Sequence, residues 1–206
     1  MVGRPADPQT RLKLIAAATN IMLTQGVAAV RVESVCQMAG LSKGAYFHYF
    51  ADKKALEAAV LQAWVERGMS LFRDGPFVSA AAPRDRLHGY IDLIGMAVEQ
   101  MPVAGCMVGI LTQDAAGSNA ELRLGCRAAF DRWARELGKL LAAAAPKGFA
   151  KRQIAELAAH FIVIFEGALI LARAHNDPTQ VRKHLAVYKN LLDFVFCAQE
   201  NRELQR

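Results

Sequence analysis

Apolar residues recur along this chain at three- and four-residue steps, β-branched runs are short, and Gly, Pro, Asn and Asp cluster between the periodic stretches. That pattern predicts helices throughout. In the first, about 10–25, Leu12, Ile15, Ala16, Ala18, Thr19, Met22 and Leu23 form one stripe, with Thr10 placed to cap its start and Gly26 to end it. A shorter helix, about 32–39, carries Val32, Val35, Cys36 and Ala39 on one face and stops at Gly40, where a tight turn favours positive φ. Ser42 caps a third helix, about 43–49. Asp52 caps a fourth, which continues through Leu56, Val60, Leu61 and Trp64 towards Met69.

Past a break at "RDGPFVSAAAPRD" (73–85), five longer helices follow, at about 84–100, 106–116, 119–145, 150–175 and 179–199. Ser118 to Glu121 matches a capping box and sets the start of the seventh. The fold class is therefore all-α. An N-terminal three-helix domain of residues 8–68 is followed by a helical domain of residues 69–206. Two short helices joined at a glycine turn, about 30–49, read as a helix-turn-helix.

Composition narrows the classes. A chain of 206 residues can build its core without staples, and the cysteines at 36, 106, 126 and 197 show no CxxC step or zinc-ligand spacing. No metal or cofactor is expected. The longest apolar run, 161–174, is broken by Glu166 and followed by His175, so it reads as a buried helix and not a membrane segment. With no signal-like leader, the expected location is the cytoplasm. No nucleophile–base pair, metal cluster or phosphate loop points to an enzyme. Residues 1–55 carry +4 of the net charge of +6, which points that end of the chain towards a polyanion.

In a helix-turn-helix the second helix enters the major groove. Lys43, at its start, can reach a guanine edge or phosphate. Gly44 and Ala45 are small enough to admit DNA closely. One of Tyr46 and Phe47 must face outward, because seven residues cannot bury every ring. Tyr49 offers a hydroxyl, Lys53 a phosphate partner, and Ser42 and Arg31 flank the two short helices. Phe50 and Leu56 are assigned inward. Alternatively the rings are all core and the cations merely solvated.

The stretch "LIAAATNIMLTQGVAAVRVESVCQMAGLSKGAYFHYFADKKAL" (14–56) resembles the DNA-binding domain of TetR-family transcriptional repressors, and "AGLSKGAYFHYFADKKAL" carries the likeness. Phe47 stands where the family usually has Tyr, Ala45 where it has Thr, and Val30–Arg31 where it has a Thr/Ser pair. The resemblance implies a homodimer on a palindromic operator, joined through the last two long helices. The apolar surplus of 154–174 and the stripe Val181, Leu185, Tyr188, Leu191, Leu192, Val195 and Phe196 fit such a seam.

The middle helices are then expected to enclose an effector site lined by Cys106, Met107, Ile110, Phe130, Trp133, Phe161 and Phe165, with plain core packing as the alternative for each. Looser features of this region resemble the NemR-like and AcuR-like branch, which implies electrophilic or unsaturated effectors. Cys106, at a helix start, is then either a reactive thiol or an inert one. Glu166 and His160 bond either a ligand's polar end or neighbours across the seam. The function implied is a repressor released from operator DNA by a small apolar or electrophilic effector. A non-specific architectural DNA protein is the alternative, with a helical enzyme a more distant one.

Overall fold

A computed structural model describes residues 7–115 and 119–205. Among them lie nine α-helices and no strand: α1 (Pro8–Gln25), α2 (Val32–Ala39), α3 (Lys43–Tyr49), α4 (Lys53–Asp74), α5 (Pro83–Glu99), α6 (Met107–Ala115), α7 (Ala120–Ala144), α8 (Lys151–His175) and α9 (Thr179–Leu204). Short 3-10 turns occupy Val27–Ala29 and Pro76–Ser79. Three ends depart from expectation. Asp7, not Thr10, caps α1, its carboxylate accepting the Gln9 N–H at 3.0 Å. The fourth helix runs on to Asp74 and the ninth to Leu204. Ser118 of the expected capping box lies outside the described residues, and Asn119 Oδ1 accepts from the Leu122 N–H at 3.1 Å.

The chain packs as two compact units. Residues 1–67 and 107–127 form the first, and 68–106 with 128–206 the second. Residues 107–127 thus group by packing with the N-terminal helices.

In the first unit α1 crosses α2, α3 and α6 around Leu14, Ile15, Ala18, Ile21 and Met22, all buried. At Gly40 the chain turns with φ 66° and ψ 37°, and the Leu41 N–H reaches the Cys36 carbonyl at 2.9 Å. Ser42 Oγ accepts from Ala45 N–H at 3.1 Å and Asp52 Oδ1 from Ala55 N–H at 2.8 Å, so both expected caps are formed.

In the second unit α5 and α9 run antiparallel, and their register is set by three ion pairs, Arg84 with Glu200, Asp92 with Lys189 at 2.7 Å and Glu99 with Arg182 at 2.7 Å, and by a contact of His88 with Asp193 at 3.2 Å. Opposite these, α9 packs on α8, where Tyr188 Oη donates to the Leu157 carbonyl at 2.8 Å.

The apolar stripe of α9 divides. Val181, Leu185, Tyr188, Leu192 and Phe196 are buried against the unit's own core. Val187 (65% exposed), Leu191 and Phe194 (73%) lie outside it, joined by Val163 (65%), Ile170 and Leu171 of α8. Most of the α9 stripe is thus internal core, and a second apolar face of α8 and α9 is exposed. The same face corrects the expectation of a buried α8. That helix is long and apolar enough, by length and composition, to cross a membrane, and the chain itself covers little more than a quarter of its apolar window.

Candidate DNA interface and effector site

In the first unit the recognition helix α3 owes its stability to its neighbours, since seven residues do not hold a helix alone in water. Tyr46 is the inward ring, 1% exposed, with its hydroxyl donating to the Asp52 carbonyl at 3.3 Å. Burial pushes that phenol's pKa up. Phe50 and Leu56 are buried too, and Arg11 of α1 sits 5.6 Å above the Phe50 ring. Contrary to the expectation of an outward contact, the Tyr46 side chain belongs to the core. Phe47, 5.3 Å from Tyr46 edge to face, is 56% exposed. Of the two rings, Phe47 faces out.

Ser42, Lys43 and Gly44 are exposed beside it. A Cβ added at Gly44 would meet only Ser42 Oγ, at 3.7 Å, so nothing within the protein requires glycine there. Lys43 donates from Nζ to Glu33 of α2, and this bond holds the Glu33 carboxyl below its ordinary range and raises the lysine. Arg31 is exposed at the cap of α2, where its backbone N–H donates to Ser34 Oγ at 3.1 Å. Two expected contacts are already engaged: Tyr49 Oη donates to the Asp7 carbonyl at 2.9 Å, and Lys53 Nζ to the Val27 carbonyl at 2.9 Å. Lys53 also lies 3.7 Å from Glu57, whose carboxyl burial pushes up. Their geometry is that of residues positioning α3.

The expected effector residues divide between the units. Met107, fully buried, and Ile110 belong to the first, while Cys106, Phe130, Trp133, Phe161, Phe165 and Glu166 belong to the second. There Trp133, Phe161 and Phe165 form a continuous cluster. Trp133 stands edge-on to Phe161 at 5.8 Å and to Phe165 at 5.3 Å. Its indole Nε1 donates to Tyr90 Oη at 2.5 Å, and Tyr90 stacks on Phe72 at 4.5 Å. Burial raises the Tyr90 phenol. The sequence reading missed Tyr90, Phe72 and Phe77, and only the stripe of α5 could have placed Tyr90 inward.

One residue beyond Phe165 on α8, the Glu166 carboxyl accepts a hydrogen bond from the buried Cys106 thiol. Glu166 therefore bonds inside its own unit, not across a seam. Its Oε1 is buried and has no hydrogen-bond partner, and burial pushes the carboxyl up to about 7. One helix face, running from Glu166 to Arg173, holds the segment before α6, since Arg173 Nε donates to the Ala104 carbonyl at 2.6 Å.

Known proteins share this architecture. Residues 14–60 match "Bacterial regulatory proteins, tetR family", and residues 83–185 match "Transcriptional regulator LmrA/YxaF-like, C-terminal domain". The chain is 26% identical to the transcriptional regulator AcuR of Cereibacter sphaeroides over 85% of this chain and 82% of the relative. It is also 26% identical to the repressor NemR of Escherichia coli K12, over 71% and 72% of the two chains. The crystal structure of a regulatory protein TetR from Rhodobacter sphaeroides superposes with a TM-score of 0.78 at 22% identity, covering 88% of this chain and 97% of the other. TetR-family regulators bind operator DNA and function as dimers. An outward-facing recognition helix on a TetR-type N-terminal domain, followed by a matching regulatory domain, makes this chain a DNA-binding transcriptional regulator of the TetR family.

Proposed function

We propose that α3 enters the major groove with Phe47 against base edges or a thymine methyl, and with Ser42, Lys43 and Arg31 on phosphate or guanine. Gly44 and Ala45 admit the backbone closely. The hydroxyl of Ser42 accepts the cap bond and still has its own proton to donate. Tyr46, Tyr49 and Lys53 hold the helix at its angle. The observation that carries this reading is Phe47: a large ring kept in water, at 56% exposure, on the same helix as the exposed Lys43 and Gly44.

Two copies join through the free apolar face of α8 and α9, Val163, Ile170, Leu171, Val187, Leu191 and Phe194. Pairing two copies lets both recognition helices engage half-sites a helical turn apart. The face is read as a protein seam and not a lipid contact because the family assembles as dimers. The protein acts in the cytoplasm. An effector bound at the ring cluster of the second unit shifts the pair out of register and releases the operator. For this it needs differential affinity for the two states, with coupling of about 1–3 kcal/mol.

Non-covalent binding is favoured over alkylation of Cys106. The thiol is buried and already bonded to a carboxyl. A gel-shift with DNA from upstream of the protein's own gene tests the function. Retention that survives competitor DNA is expected, while a steep salt loss without sequence preference would reduce the protein to a non-specific binder.

A further inference from the structure

The second unit holds a carboxylate that its own chain does not satisfy. Glu166 follows Phe165 on α8, its carboxyl bonded by the Cys106 thiol, while Oε1 is buried and unpartnered. A carboxylate oxygen can only accept, and leaving it buried without a donor costs about 1–3 kcal/mol. Trp133 Nε1 donates to Tyr90, and Arg173 Nε donates to Ala104. Trp133 thus contributes its ring to the site and not its N–H.

We propose that Glu166 anchors the effector and that the effector is a hydrophobic organic cation, its ammonium donating to Glu166 Oε1 and its apolar body lying against Trp133 and Phe165. This rests on the reading of the ring cluster as the effector site. A cation supplies both things the carboxylate lacks, a donor and a compensating charge, and indole is the best of the aromatic faces for a cation. An anionic effector would meet the same carboxylate as a like charge. Because burial holds Glu166 near neutral pH between its two forms, a bound cation draws it to the ionised one. Cys106 is the titratable group that bears on it.

Three probes of one shape test this by calorimetry on the full chain: naphthylmethylammonium, naphthylmethanol and naphthoate. The ammonium is expected to bind at least about tenfold tighter than the alcohol near pH 8. Its affinity is expected to fall about tenfold towards pH 6, as a group titrating near 7 takes up its proton while the amine keeps its own. In Glu166→Gln the preference disappears and the alcohol still binds. If the alcohol or the naphthoate binds wild type as tightly as the ammonium, or if Glu166→Gln keeps the preference, the cation assignment is overturned and the site stands. If none of the three binds wild type, the effector-site reading fails and takes the proposal with it. The pH dependence in wild type needs no variant, so misfolding of Glu166→Gln leaves the proposal falsifiable.

Discussion

The thiol of Cys106 donates to the carboxyl of Glu166, tying the residue just ahead of α6 to the middle of α8. An acid whose folded pKa is about 7 against an ordinary 4.5 retains its proton longer in the folded chain. Between those values the folded state binds more protons than the unfolded one, so stability falls as pH rises through the window. The loss is at most about 3 kcal/mol. Glu166→Gln removes that slope. Urea unfolding at fixed protein concentration is expected to show equal stability below about pH 4.5 and a more stable variant above about pH 7. A wild type that gains stability across the window would contradict the burial of this carboxyl.

The Trp133–Tyr90 bond joins α7 to α5 inside the ring cluster. Tyr90→Phe leaves the indole donor without its acceptor and is expected to destabilise by about 1–3 kcal/mol. A double-mutant cycle with Trp133→Phe should return a coupling of about 1 kcal/mol, measured by denaturant unfolding. Coupling indistinguishable from zero would mean the bond is incidental.

Tyr46 and Phe47 are neighbours with opposite duties. Tyr46→Ala empties a buried site and is expected to destabilise by about 3–5 kcal/mol. Phe47→Ala is expected to change stability by about 0.5 kcal/mol or less while reducing operator affinity at least about tenfold. Thermal melts and a gel-shift on the same two variants separate the roles. Equal effects of the two on both readouts would not fit.

Lys43, a proposed DNA contact, is held in an ion pair by Glu33. Glu33→Gln is expected to tighten operator binding by freeing the lysine. Lys43→Ala is expected to weaken it and to reduce the slope of log affinity against log salt by about 1. Fluorescence anisotropy across a salt series reads both. An unchanged slope in Lys43→Ala would remove that lysine from the phosphate contacts.

The helices were legible because α1 to α9 carry their signals locally: periodic apolar residues, Ser42 and Asp52 at helix starts, Gly40 at a turn with positive φ. Asp7 was missed because Thr10 is also a good cap, and either could begin the helix before Pro8 settles at its first position. Direction was harder than periodicity. The ninth helix has apolar residues on two adjoining faces, and sequence alone does not say that Tyr188 and Phe196 turn inward while Val187 and Phe194 stay out. The site was least legible. Trp133 was visible, but its partner Tyr90 lies 43 residues away, and the bond between them exists only once α5 and α7 are packed.

In the proposed assembly α3 meets DNA as one of a pair, the two chains held together by the outer face of α8 and α9. Sedimentation of the protein alone and on a duplex from upstream of its gene tests this directly, with Phe194→Asp run beside wild type. Two chains free and two on each specific site are expected, with the variant falling to single chains that no longer hold the duplex. Single wild-type chains in solution that bind the same fragment one at a time, as tightly as the variant does, would contradict it.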